Sequence, residues 1–352
     1  MNFLKNLLVQ LCIGVNVATL IMLWSCCAIT YLSPVSYPYL SLFTLTFPFL
    51  LVLNILFIFF WLIFKIRYVW IPLVGLIVCF SFIRDYIPIN LPSNPPNSTL
   101  KVISYNTNYY GQGSSKNNVD SILTFLKNND ADIICLQESG HNKAFEDSLC
   151  AAGYEHFGIL TLHIFSRLHI ISAEKITMNS RNNHCMRAYL EYGLDTIMII
   201  NQHFESNHLS PEIKEAYREA LENHQKDSLR KDLEPIINKL AVAAPYRAMQ
   251  TDSIYRIIES WLPRPLILCS DFNDTPVSYT HRRLTTSLKD AFRESANGLG
   301  FTYHEKGFPV RIDFILYNGK IWKSYDTYVD RSIRCSDHFP ILTKLGQIDL
   351  PK

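Results

Sequence analysis

Charge is what the first quarter of this 352-residue chain lacks. Up to Asn90 the only Lys, Arg, Asp or Glu residues are Lys5, Lys65, Arg67, Arg84 and Asp85, a net of +3. Such a stretch has no polar face to offer water and cannot be an ordinary surface segment of a soluble domain. The remainder also lacks an excess of either sign, with 29 basic against 30 acidic residues. That balance removes the broad basic footprint expected of a nucleic-acid-binding surface. A third scarcity is metal-site spacing among the nine cysteines. Cys12, Cys26, Cys27 and Cys79 fall in the apolar part. The other five, Cys135, Cys150, Cys185, Cys269 and Cys335, are odd in number and widely spread, and Cys135 and Cys269 sit inside strand-like runs. The pattern argues against a disulfide framework or a zinc site and for small buried core residues.

What is present instead is length and apolarity. Leu7–Leu32, Leu40–Phe64 and Tyr68–Ile83 form three apolar stretches. The first two exceed the roughly 20 residues that cross a hydrocarbon core, and the third reaches that length with its flanks. A cleaved signal peptide would account only for the first. The expectation is a three-helix transmembrane anchor over residues 1–86, in contact with the bilayer through residues 7–83. Tyr31, Tyr37, Tyr39, Tyr68 and Trp70 near the helix ends suit an interfacial belt. Lys5 and the pair Lys65/Arg67 lie on one side, with only Arg84 on the other. The positive-inside bias therefore places the C-terminal domain outside the cytoplasm, as part of a multi-pass membrane protein. Residues 87–99, rich in Pro, Asn and Ser, read as a short extended linker. Residues 100–352 form the remaining domain.

Within that domain one pattern recurs: a short apolar strand that ends in polar side chains. Leu266 to Pro276 is the clearest, an aliphatic run that stops at Asp271 and Asn273. Alternation in a strand points both side chains past the same sheet edge. Taken alone they could equally be turn-formers. Asn106 follows Leu100–Tyr105, Glu138 follows Asp132–Leu136, and His203 follows Thr196–Ile200. Asp313 lies inside the apolar run Arg311–Tyr317, where an acid costs free energy unless it is paired. Asp337 and His338 precede the strand Ile341–Leu345. Each has a bland reading as a turn, loop or structural residue; six polar strand ends in one domain point to a shared site. Val119–Asn128 reads as a helix, Pro211–Trp261 as two or three helices with Ser210 as N-cap and breaks near Pro235 and Pro245, and Phe301–Tyr303 as the start of a further strand.

In this order, Ser-Tyr-Asn106, Leu-Gln-Glu138, Asn201-Gln-His203, Ser-Asp271-Phe-Asn273, Ile-Asp313-Phe-Ile and Ser-Asp337-His338-Phe-Pro resemble the endonuclease/exonuclease/phosphatase family over about Leu100–Leu345. The resemblance implies an α/β fold, a four-layer sandwich of two mixed β-sheets flanked by helices. It implies a metal-dependent hydrolase of phosphodiester or phosphomonoester bonds using Mg2+, with Mn2+ as a substitute. Glu138 would be the principal metal ligand, with Asn106 and Asp337 near the ion. Asp271 would orient or deprotonate the attacking water and Asn273 would bind a phosphate oxygen. His338, fixed by Asp313, would act as base or charge stabiliser, and His203 would stabilise the pentacovalent state or protonate the leaving oxygen. Ser270 departs from the family's usual Gly, adding a hydroxyl expected close to the site. Tyr109 and Tyr110 are candidates for the tyrosine that some members place over the phosphate. The expected substrate is a nucleic acid outside the cytoplasm or a phospholipid head group, with no obligate protein partner. The competing reading is a non-catalytic membrane scaffold, which loss of the metal ligand or the catalytic histidine would have favoured; neither is lost.

Overall fold

The computed structural model describes residues 2–112, 116–178, 180, 183–207, 209, 212, 213, 215, 219, 226–305 and 309–348. Among these, two helical segments are long and apolar enough to cross a membrane, Phe3–Ile29 and Pro38–Phe64. The third apolar stretch is not a straight span. Its halves, Ile66–Val78 and Phe80–Tyr86, meet at 68°, so the count is two spans, or three if the bent pair is one. The first half is only 13 residues long, about 20 Å at 1.5 Å per residue, short of a hydrocarbon core. The two long helices are joined by polar side chains. Asn16 Nδ2 donates to Asn54 Oδ1 at 3.1 Å, and Trp61 Nε1 donates to Asn16 Oδ1 at 3.0 Å. Such pairs hold apolar helices together where no hydrophobic drive between them exists. Gly75 allows the third segment to approach closely: a Cβ there would meet Leu20 Cδ2 at 2.1 Å. Tyr31, Tyr37, Tyr39 and Trp70 are exposed, and Tyr31 and Tyr39 bond to Arg282 and Asn238 of the following domain.

The following domain has two six-stranded sheets. The first runs β11 (Trp322–Val329), β12 (Ile341–Gln347), β1 (Thr99–Asn106), β2 (Ile133–Gln137), β4 (Leu162–Ser166), β3 (Glu155–Ile159). The second runs β5 (Ile170–Ile176), β6 (Cys185–Tyr192), β7 (Asp195–His203), β8 (Leu266–Asp271), β10 (Asp313–Tyr317), β9 (Lys289–Asp290). Each sheet is mixed and contains one parallel pair, β1 with β2 and β7 with β8. β2 and β8 are buried at every residue, which explains their unbroken apolar runs. The edge strand β11 instead alternates buried and exposed positions.

Three apolar clusters give the layers. One lies between the sheets, with Val102, Cys135, Ile164, Ile199 and Cys269. The second packs Ile122 and Leu126 of helix Lys116–Asn129 and Phe145 and Leu149 of helix Lys143–Cys150 on the first sheet. The third packs Ile254 and Ile258 of helix Lys226–Trp261 on the second sheet. This is the expected four-layer α/β sandwich. The cysteine expectation holds for buried Cys135, Cys185 and Cys269, whereas Cys150 is exposed and Cys335 half-buried; all nine are free thiols.

Two local readings are corrected. Lys226–Trp261 is one helix of 36 residues that continues through Pro235 and Pro245. Each proline removes one helical hydrogen bond, and the helix is held by Pro38–Ser41, where Tyr39 Oη donates to Asn238 Oδ1 at 3.2 Å, and by the second sheet from Ile254 onward. The Ser210 N-cap lies outside the described residues. Tyr303 makes only isolated bridges, to Val310 and His338, where a strand beginning at Phe301 is expected.

Candidate active site

Four strand ends converge because the two parallel pairs point the same way. Asn106 pairs with Gln137 at the tips of β1 and β2, and His203 pairs with Asp271 at the tips of β7 and β8. β10 runs antiparallel and starts where β8 stops, placing Asp313 opposite Asp271. The sheets are tied beneath the site. Asn201 Nδ2 donates to the Leu136 and His163 carbonyls, each at 3.0 Å, and Gln137 Nε2 donates to Asn201 Oδ1 at 2.8 Å. Asn201 is thus the cross-sheet clamp of its motif.

The side chains then meet. Asn106 Nδ2 donates to Asp271 Oδ2 at 2.9 Å and to Glu138 Oε1 at 3.2 Å, while its own oxygen accepts from the Asn108 amide at 3.0 Å. His203 Nε2 lies 3.4 Å from Glu138 Oε1 and 3.6 Å from Asp271 Oδ2. Asp313 Oδ2 is 2.8 Å from His338 Nδ1, and His338 Nε2 is 3.9 Å from Asp271 Oδ2. Asp313 is therefore the paired acid its apolar surroundings require. Ser336 Oγ donates to the Asn106 carbonyl at 2.8 Å and accepts from the His338 amide at 3.1 Å, holding the Asp337–His338 turn over β1. Asn273 donates its amide to Asp271 Oδ1 at 2.8 Å and its Nδ2 to the Phe204 carbonyl at 3.1 Å. Glu138 and Asn273 have φ of 45° and 50°, a left-handed conformation rare for such residues. Strain of this kind persists only where the surroundings over-determine it, and it clusters at functional sites.

Electrostatics follow from burial. Asp271 is pushed up to about 6, by burial first and then by the Asp313 carboxylate, against the pull of His338 and His203. Burial alone would lower His338, but Asp313, then Asp271 and Asp337, outweigh it and push the imidazole up to about 10.

Among the described residues two groups could hold a cation: Glu138, His203 and Asp271, and Asp271, Asp313 and His338. His203 Nε2 and Asp313 Oδ1 are buried without a hydrogen-bond partner. Two carboxylates facing an unsatisfied buried nitrogen fit a divalent ion bound mainly by oxygen. Seven of the eight expected site residues, Asn106, Glu138, His203, Asp271, Asn273, Asp313 and His338, meet through the contacts above, whereas Asp337 belongs to neither group and is half-buried.

Three details differ from the sequence reading. The Ser270 hydroxyl is buried and donates to the Gln202 carbonyl at 2.6 Å, so it is occupied within the sheet and does not reach the site. Tyr110 is buried, its hydroxyl donating to the Gly140 carbonyl at 2.9 Å and accepting from Ser139 at 2.8 Å; only Tyr109 is exposed near Glu138. The residue missed is Tyr303, whose ring lies edge-on to His338 at 5.0 Å. Its approach depends on the isolated bridge to His338, which leaves no local pattern.

A family model described as Endonuclease/Exonuclease/phosphatase family matches residues 103–338. Another, described as Domain of unknown function (DUF8431), matches residues 9–86. No curated protein matches the sequence significantly. Among solved structures, truncated Caenorhabditis elegans TDP2 is 18% identical with a TM-score of 0.52, covering 72% of this chain and 100% of that one. The human Nocturnin catalytic domain with bound sulfate is 16% identical with a TM-score of 0.54, covering 73% and 100%. An endonuclease/exonuclease/phosphatase family protein from Bacteroides thetaiotaomicron is 18% identical with a TM-score of 0.51, covering 73% and 100%. At these identities the likeness is one of fold.

Proposed function

The chain belongs to the endonuclease/exonuclease/phosphatase family of metal-dependent phosphoester hydrolases, and from that premise we propose that it is a membrane-anchored, magnesium-dependent phosphodiesterase or phosphatase. The observation that carries the reading is the convergence of Glu138, His203, Asp271, Asp313 and His338 at one edge of the paired sheets. In this proposal residues 1–86 are the anchor, 87–99 the connector and 100–352 the catalytic domain.

Glu138 is the principal ligand, with Asn106 and Asp337 beside it and Mn2+ able to replace Mg2+; the bound ion supplies positive charge to the phosphate oxygens. Asp271 accepts the proton of the attacking water or orients it. Asn273, held by Asp271 and the Phe204 carbonyl, presents its amide side to a phosphate oxygen. Asp313 fixes the His338 ring through Nδ1, which leaves Nε2 to act as base or to stabilise the negative charge on the phosphoryl oxygens. His203 stabilises the pentacovalent state or protonates the leaving oxygen. The full-length chain in detergent micelles with Mg2+ should hydrolyse an aryl phosphodiester, and chelation should stop it. Asp271→Asn and His338→Ala should each lower kcat by about a hundredfold or more. A loss under about tenfold would remove those residues from the chemistry.

One observation favours a phospholipid head group over nucleic acid. The loop after Asn273 is seated against the apolar helices: Val277 is fully buried among Leu23, Phe47 and Phe82. The site edge therefore lies at the anchor side of the domain. Magnesium-dependent assays on plasmid DNA, RNA and a phospholipid panel separate the two; nicked DNA with intact lipids would reverse the choice. The bias of Lys5, Lys65 and Arg67 toward one side supports a domain outside the cytoplasm in this reading. Protease added to intact cells or spheroplasts should cleave it, and full protection would invert the topology.

A further inference from the structure

We propose that the apolar N-terminal module is part of the catalytic site: its last helix, Phe80–Tyr86, positions the two segments that carry Asn273 and Asp313. This rests on the phosphoesterase reading above and adds two positioning residues to it, Asp85 and Tyr86.

The first link runs to β10. Asp85 is 2% exposed. Its carboxylate accepts from Arg293 Nη1 at 2.5 Å, and its backbone carbonyl accepts from Arg311 Nη2 at 2.6 Å. Arg311 is 1% exposed, with Nη1 on Asp290 Oδ2 at 2.9 Å and its guanidinium against the rings of Phe292 and Phe314. It stands two residues before Asp313, in the segment that leads into β10. The amides of Ile312 and Asp313 are both pinned by Thr302 Oγ1, at 3.0 and 3.1 Å. The start of the strand that aims Asp313 at His338 is thus held on one flank by Thr302 and on the other by the anchor's last turn.

The second link runs to the exit of β8. Tyr86 is buried, and its ring belongs to the same apolar cluster as Val277. Val277 is completely buried in a cluster otherwise built by the anchor, with Leu23, Cys26, Phe47, Cys79, Phe82 and Tyr86. Only three residues separate Asn273 from Val277, so the left-handed turn at Asn273 is clamped between the sheet and the anchor. Without the anchor, Val277 would face water, and Arg293 and Arg311 would each lose a buried acceptor. A domain complete in itself would not leave these groups open. The bend at Cys79 turns Phe80–Tyr86 out of the line of the preceding helix and onto the domain.

The test uses the full-length chain in micelles and a soluble aryl phosphodiester, so that delivery of substrate by the membrane plays no part. Tyr86→Ala removes the ring that packs in the Val277 cluster; Asp85→Asn removes the charge. Both should lower kcat by about ten- to a hundredfold with KM changed less than about twofold, as expected when reacting groups are displaced without loss of binding. Asp85→Glu should recover part of the loss. Hydrogen exchange should accelerate in Phe272–Val277 and Arg311–Phe314 while β1 and β2 stay protected. Unchanged kcat in both variants, or unchanged exchange in those segments, overturns the proposal. A wild-type chain without magnesium-dependent hydrolysis would instead refute the phosphoesterase reading, and the exchange result would still decide the positioning.

Discussion

Asp290→Asn is the sharpest probe of how the site is held. The carboxylate is fully buried and accepts from Arg311 Nη1 at 2.9 Å and the Phe292 amide at 3.0 Å; its Oδ2 also lies 3.0 Å from His281 Nε2. Burial opposes its ionisation, but the Arg311 guanidinium and then His281 outweigh that and hold the carboxyl well below the ordinary carboxylate range. Asparagine can still cap helix Ala291–Ser295, so the cap is not the quantity lost. What is lost is the counter-charge of a buried guanidinium, which costs about 3–5 kcal/mol. At about 2–4 °C per kcal/mol for a domain of this size, the midpoint should fall by about 6–20 °C. The assay is thermal unfolding of the full chain in micelles, followed by tryptophan fluorescence. The double variant Asp290→Asn/Arg311→Met removes both charges and should be more stable than Asp290→Asn alone. The pH sign follows from the depressed folded-state pKa. Asp290 contributes its full stabilisation above the ordinary pKa of an unfolded aspartate, about 4, and loses it as pH falls from there toward the folded value. The variant should lack this acid-dependent loss. A midpoint shift below about 2 °C, or a double variant no better than the single, would refute the reasoning.

Asn201→Ala should destabilise the chain by about 2–4 kcal/mol, because it strands two carbonyls and the Gln137 amide between the sheets; denaturant unfolding measures it, and a cost under about 1 kcal/mol would deny the clamp. Ser270→Gly should cost about 1–2 kcal/mol through the lost bond to Gln202 while leaving kcat/KM within about threefold, and a larger kinetic effect would place the hydroxyl in the site after all. Mg2+ at a hundred times its Kd should stabilise the fold by about 2.7 kcal/mol, read as a rise in Tm that Glu138→Gln suppresses; an equal rise in that variant would move the ion elsewhere.

Much of this protein was legible in order along the chain. Charge scarcity marked the apolar module, and apolar runs ending in Asn106, Glu138, His203 and Asp271 marked the strand tips, because a buried strand of a paired sheet must be apolar to its end. Asp313 announced a partner, since an acid in such a run cannot stay unpaired. Local pattern was silent wherever two distant segments decide the outcome. Nothing near Ser270 says that its hydroxyl will find the Gln202 carbonyl, and nothing near Phe301 says that Tyr303 will lie against His338. The prolines of Lys226–Trp261 read as breaks because the contacts that hold the helix, with Pro38–Ser41 and with the second sheet, come from elements far away in the chain. The bend at Cys79 and the burial of Val277 belong to the same class. Hydropathy reports that a segment is apolar, and only the tertiary structure decides whether its partner is lipid or the loop that follows Asn273.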